Sequence, residues 1–251
     1  MIELSSSPYI IDLTAVKCSF DGSFMQPASK MMLRPYIQKH HGEMSLPQIL
    51  DVMIQAVKGV RALHDLNVAH LDIATKQYAV SLEDGEDKEG IWNKGLPRPL
   101  LQLQDFNMAR FAETSPEGEP CSITPKMGAH DYYRSPEEYN RFYLTTKADI
   151  FPLGYVLYNI FFGFSAMKEH FKEVRGDKLV NVRTKQAIAT GTTHGFPSKR
   201  TRADPLEEQY SQVIKDVIKE CWVYEPNERI SATDLVDKLQ GIFQDVKEAV
   251  G

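Results

Sequence analysis

The sequence predicts one α+β unit in which two short strands open the chain and helices supply most of the remainder. Three observations point to it. Two β-rich runs, Tyr9 to Ser19 and Ser29 to Ile37, stand on either side of the turn signal Asp21-Gly22 and a proline-containing segment. Behind Ser45 the apolar residues fall at helical spacing, and three further helical patterns fill the second half of the chain. Strands first and helices after, with no internal repeat, argue for a single unit over two domains.

Ser45-Leu-Pro-Gln48 has the form of a capping box. Leu50, Met53, Ile54, Val57, Val60 and Leu63 then share one helical face. After His64 the text turns strand-like at Val68 to His70, Gln77 to Leu82 and Leu100 to Leu103. Glu83 to Pro99 is acidic and glycine-rich, which predicts an exposed insertion. From Arg110 to Arg134 no period is visible, and Thr, Ser, Pro, Gly and Glu dominate, as in a functional loop. Asp149 is expected to open a helix that is apolar all round, hence buried and central, with Pro152 inside its first turn. Two helices close the chain, one on Tyr210, Val213, Ile214, Val217, Ile218 and Cys221, the other on Leu235, Val236, Leu239, Ile242 and Phe243 behind Ser231-Ala-Thr-Asp234.

With 29 basic and 34 acidic side chains among 251 residues, the formal net charge of −5 gives no electrostatic footprint for nucleic acid or an anionic membrane surface. Three cysteines without paired spacing indicate neither a disulfide framework nor a zinc site, which favours a reducing, cytoplasmic setting. The most apolar stretch, Ile150 to Phe162, is too short to span a bilayer, and the N-terminus has no signal-peptide pattern.

The chemistry-bearing residues form an ordered series. His70-Leu-Asp72-Ile-Ala-Thr-Lys-Gln77 comes first, then Asp105-Phe-Asn107, Ser135-Pro-Glu137 and Asp149, and near the end Cys221-Trp222, Pro226 and Arg229. Each match alone is weak, and the bland alternative for Asp72 or Asp105 read singly is a loop carboxylate, in the case of Asp72 one holding backbone N–H groups. The series in order resembles the signature set of eukaryotic-type protein kinases, over roughly Pro8 to Leu239. The resemblance implies a kinase-like domain over residues 8–243, with residual small-lobe strands and hinge over 8–37 and a helical lobe over 45–243. It implies ATP and Mg²⁺ as cofactors and a protein substrate or a partner kinase, with no nucleic acid and no membrane span.

By the same resemblance Asp72 is the carboxylate that takes the proton of the accepting hydroxyl, and Asp105 and Gln77 are metal ligands. Leu33, Arg34 and Tyr36 stand at the nucleotide hinge. His70, Glu137, Asp149 and Arg229 are architectural: His70 as a packed core histidine, Glu137 with Arg229 as a buried ion pair, Asp149 as the anchor of the loop around Asp72.

The chain departs from the family pattern in several places. Leu71 replaces the arginine that reads a phosphorylated loop, so hydroxyls at Thr114, Ser122, Thr124, Tyr132 and Tyr133 would lose their usual partner. Gln77 replaces an asparagine, which displaces the amide oxygen in a site where Mg²⁺ asks for near-ideal geometry. Asn107 replaces a glycine, a change that a left-handed backbone tolerates. Ala74 with Lys76 looks like the tyrosine-kinase form of this loop, and Cys221-Trp222 is similar to tyrosine kinases and tyrosine-kinase-like serine/threonine kinases. No Gly-x-Gly-x-x-Gly occurs, and no strand lysine precedes the opening strands, as in an N-terminally truncated kinase domain. Two readings are open: a kinase impaired in the chain as it stands, or a pseudokinase acting as scaffold or allosteric binding module.

Overall fold

Ser45 caps the helix around which the rest of the chain is assembled: its N–H donates to Gln48 Oε1 at 2.8 Å, and Pro47 occupies the first turn, where no N–H partner is needed. This helix, α2 (Leu46–His64), packs on two later ones, α4 (Lys147–Phe162) and α6 (Ala232–Val250). The structure is a computed structural model and describes residues 7–11, 15–16, 24–25, 31–82, 90–92, 96–112, 134–166, 185–192, 195–197 and 205–250.

The single apolar face predicted for α2 is an underestimate. Ile49, Val52 and Ala56 are as buried as Leu50, Met53 and Val57, because the two helices cover some sides of α2 and a sheet covers another. That sheet joins β3 (Met31–Met32), β5 (Tyr78–Leu82) and β6 (Pro99–Leu103) in the antiparallel order β3-β5-β6, with Tyr78 opposite Leu103. Ile10 bridges to Leu103 at its edge. Elsewhere β1 (Ala15–Val16) pairs with β2 (Phe24–Met25), and β4 (Val68–Ala69) pairs with β7 (Arg110–Phe111).

The second opening run differs from its expectation. Only Met31 and Met32 of Ser29–Ile37 are extended, and Leu33–His40 is helix α1. Leu33, Tyr36 and Ile37 are the residues it buries, an i, i+3, i+4 set that reads as a helical stripe once Pro35 is placed in the first turn. Leu33, Arg34 and Tyr36 are therefore not an extended hinge. The strand partner of the first run is Phe24–Met25, not the second run.

Within the acidic insertion, Trp92 and Leu96 belong to the main core, contrary to the prediction of a wholly exposed segment. A polar composition concealed two apolar anchors, and Asp51 on α2 holds the first of them by accepting a bond from Trp92 Nε1 at 3.0 Å, beside those from Arg98 Nε and Nη2 at 3.1 and 3.0 Å.

Helix α4 is buried all round, with only Lys147 and Asn159 partly exposed. It begins at Lys147, so Pro152 sits beyond the first turn predicted for it. Helix α3 (Pro136–Asn140) precedes it; α5 (Pro205–Cys221) and α6 close the fold, α6 running seven residues past Phe243. Trp222 stacks beside Phe196, with ring centroids 5.7 Å apart, and fills the space between α4 and α5. Burial pushes the Cys221 thiol well above its usual range, so it is core and not a thiolate ligand. Among the described residues, no helix is long and apolar enough to cross a membrane.

Candidate active site

Asp149, in the first turn of α4 and wholly buried, organises the loop between β4 and β5. Its Oδ1 accepts the Leu71 N–H at 2.8 Å, and its Oδ2 accepts the His70 N–H at 2.7 Å and His64 Nε2–H at 3.0 Å. Three donors on one carboxylate are what make so deep a charge tolerable. Leu71 itself has φ 60°, a left-handed conformation that costs a non-glycine residue about 1–2 kcal/mol and persists only where its surroundings hold it.

Both ring nitrogens of His70 are in use. Nε2 donates to the Gln104 carbonyl at 2.9 Å, and Nδ1 accepts the Asp72 N–H at 3.3 Å, so the ring is the neutral Nε2–H tautomer, buried and edge-on to Phe106. Asp72 comes next, with its carboxylate partly open to solvent. Gln77 Nε2 donates to its Oδ2, and Lys76 Nζ stands 3.3 Å from the same oxygen. Asp72 lines a cavity of about 270 Å³ with Arg34, Leu71, Lys76, Arg134, Glu138 and Asn159 among its walls.

Asp105 reaches this neighbourhood through the sheet. The β5–β6 ladder continues past Tyr78–Leu103 with the Gln104 N–H donating to the Gln77 carbonyl at 2.9 Å, which sets Asp105 one residue from a strand bonded to Gln77. The left-handed backbone expected at Asn107 falls instead on Asp105, at φ 65°, while Asn107 lies in the 3₁₀ turn Phe106–Met108. Asp105 is half-buried, and its carboxylate accepts no hydrogen bond among the described residues. Gln77 turns its NH₂ to Asp72, which leaves its Oε1 as the side chain's oxygen donor, and the residue is buried. A carboxylate and an amide oxygen are hard oxygen donors of the kind Mg²⁺ takes alongside phosphate oxygens, so the donor chemistry of these two side chains suits that ion.

Glu137 and Arg229 form a buried pair. Arg229 Nη1 and Nη2 lie 2.7 and 3.0 Å from the two carboxylate oxygens, and the guanidinium also donates to the carbonyls of Val223, Tyr224 and Lys147. This pair ties α3 to the turn before α6. Of the residues assigned to a hinge, Leu33 and Tyr36 are fully buried on the inner face of α1, and only Arg34 lines the cavity.

The sequence reading passed over a second buried pair. Arg134 Nη1 donates to Glu138 Oε1 at 2.7 Å and to the Leu71 carbonyl at 3.0 Å, while Glu138 Oε2 accepts the N–H and the hydroxyl of Ser135 at 2.9 and 3.0 Å. Ser135-Pro-Glu-Glu138 has the Ser-x-x-Glu form of a capping box, the signal by which Glu138 was discoverable. Burial pushes Glu138 up to about 7, although Arg134 and Ser135 pull the other way. The five hydroxyls at Thr114 to Tyr133 lie outside the described residues.

A family model for the protein kinase domain matches residues 1–239. The chain belongs to the protein kinase family. This kinase domain is 28% identical over 204 residues to the serine/threonine-protein kinase Nek5 of Mus musculus, covering 80% of the chain and 26% of that protein. It is 25% identical over 217 residues to a probable serine/threonine-protein kinase of Dictyostelium discoideum, with 83% of the chain and 10% of that protein covered. To the dual serine/threonine and tyrosine protein kinase of Strongylocentrotus purpuratus it is 24% identical over 200 residues, with 80% and 17% covered. The chain thus spans a tenth to about a quarter of the length of these relatives.

Proposed function

We propose that this kinase domain supports ATP- and Mg²⁺-dependent phosphoryl transfer to a protein hydroxyl, with Asp72 as the group that orients the hydroxyl and takes its proton. The observation that supports it is the placement of Asp72: a carboxylate with one edge toward a cavity, on a loop whose backbone is bonded to buried Asp149 on one side and whose side-chain oxygen is steadied by Gln77 and Lys76. Lys76 also supplies positive charge beside it. Asp105 and Gln77 would hold Mg²⁺, which supplies neutralisation of the phosphate charge that develops during transfer. His70 does not act as a base, because both its nitrogens are committed. Arg34 lines the same cavity as Asp72.

The acceptor class is the finer question. Ala74 with Lys76 resembles the tyrosine-kinase form of the loop, whereas the relatives' names speak of serine and threonine, or of both classes. The assay therefore offers peptides carrying each hydroxyl. The purified full-length protein is incubated with labelled ATP, Mg²⁺ and these peptides beside the Asp72→Asn variant. Transfer by the wild type that falls by about 10³-fold or more in the variant supports the reading, the loss expected when a base acting within a preorganised site is removed.

A second reading has its own observation. Asp72 Oδ2 already receives two donors, and residues 1–251 contain no glycine-rich phosphate loop. A scaffold or allosteric partner of an active kinase would need neither a free base nor nucleotide. Wild-type protein that transfers no phosphate and shows no thermal shift with ATP and Mg²⁺ favours that reading.

A further inference from the structure

The peptide group joining Leu71 to Asp72 is planar, so whatever fixes its carbonyl and its N–H fixes the direction in which the Asp72 side chain leaves the backbone. Both ends are held. The N–H donates to His70 Nδ1 at 3.3 Å, and the carbonyl accepts from Arg134 Nη1 at 3.0 Å. The peptide before it is held too, by Asp149 Oδ1 on the Leu71 N–H at 2.8 Å. Between these bonds sits Leu71 at φ 60°, the conformation it would leave if one clamp were released.

We propose that Arg134 is a positioning residue for Asp72, acting through the Leu71 carbonyl to lock the peptide on which that carboxylate stands. The inference rests on the reading of Asp72 as the proton-accepting group, and adds to it a residue outside the loop. Arg134 suits the role for three reasons. It is 7% exposed, so water does not compete strongly for the carbonyl, and a charge-assisted bond there is stronger than a neutral one. Glu138 Oε1 fixes its guanidinium at 2.7 Å, and Ser135 fixes Glu138 in turn, so the clamp is built on the first turn of α3 and does not swing. Residue 71 brings no cation of its own, and Arg134 delivers one to its backbone from across the cavity they both line. The first turn of α3 is thereby coupled to the geometry of Asp72.

The test uses the full chain with Arg134→Lys, Arg134→Met and the double variant Arg134→Met/Glu138→Gln, which removes both charges of this pair together and keeps an acceptor for Ser135. Two quantities are read in every folded variant: amide hydrogen exchange of His70 to Ile73 against that of α2 and α6, and kcat and KM for phosphoryl transfer. The expected result is exchange at 70–73 faster by about tenfold or more in the Met variants, on the scale of a lost charge-assisted bond, with α2 and α6 unchanged and partial recovery in Arg134→Lys. In an active wild type, kcat falls by a similar factor while KM for ATP stays within about twofold. Unchanged protection at 70–73 in a folded Met variant overturns the proposal, and so does a uniform loss of protection across α2 and α6, which would mark Arg134 as general scaffolding. Should the wild type transfer no phosphate, the catalytic reading fails by itself, and the exchange measurement still decides whether Arg134 fixes the loop.

Discussion

Arg229 and Glu137 stand 92 residues apart in the chain, yet their charged ends meet at 2.7 Å with essentially no solvent contact on either side. The guanidinium spends its remaining donors on three backbone carbonyls and lies over the Phe151 ring at 5.2 Å, so no part of the charge is left unanswered. Such a pair adds little by being ionic and a great deal by being complete, since either partner alone would be a stranded buried charge.

Arg229→Met should therefore lower unfolding free energy by about 3–5 kcal/mol, a large share of the roughly 5–15 kcal/mol available to a domain. Lys238→Met, which removes a surface pair with Glu220 of the same 2.7 Å length, should cost about 1 kcal/mol or less. Urea midpoints of the two variants check the contrast. Equal midpoints would mean that the buried pair is no better built than the exposed one.

The latch at Asp51 makes a second prediction. Its carboxylate accepts Gln55, Trp92 and two Arg98 donors, and it holds Trp92 against α2. Asp51→Ala should cost about 2–3 kcal/mol and release Trp92 to water. Trp222 is the only other tryptophan and is 3% exposed, so a red-shifted emission component newly open to acrylamide reports Trp92. Emission identical to wild type would show that Leu96 and its neighbours suffice to hold the segment.

Two glycines should respond in opposite directions. A Cβ on Gly154 would lie 2.6 Å from Trp222 Nε1 and 2.8 Å from Cys221 Cβ, so Gly154→Ala should destabilise by about 1–3 kcal/mol. Gly241, on the exposed side of α6, has nothing within 4 Å, and Gly241→Ala should stabilise by about 0.5–1 kcal/mol. Thermal unfolding of both variants gives the signs directly.

Glu138 sets a pH dependence. Burial raises its carboxyl to about 7 from 4.5, so between those values the folded state binds a proton that the unfolded chain has lost. Its contribution to stability is full below about 4.5 and is lost as pH rises toward about 7. Urea unfolding from about pH 4.5 to 8 should show this falling component, and Glu138→Gln should flatten it. A slope that the substitution leaves unchanged would assign the dependence to another group.

Local chemistry explains why parts of this fold were legible. The capping box at Ser45 and the all-apolar run in α4 are contiguous signals, set by hydrogen bonds and burial within a few residues, and the two helices stand where those signals are. The stretch Leu33–Ile37 misled because a short apolar run has the composition of a strand. Its period became helical only once Pro35 was placed in a first turn. Trp92 and Leu96 were concealed for a related reason: two anchors in a polar segment do not change its average.

The sequence alone determined that the chain carries an ordered kinase series, with Asp72 and Gln77 on one loop, because residues so close in the chain cannot be far apart in space. Only the tertiary structure decided what holds that loop. That Asp149 takes the N–H groups of His70 and Leu71, that Arg134 takes the carbonyl between Leu71 and Asp72, and that Asp105 arrives through a sheet bond to Gln77 are all contacts across 27 or more residues. No spacing encodes them, since the distance between two such groups is set by how α3, α4 and the sheet pack, and packing is a property of the whole core.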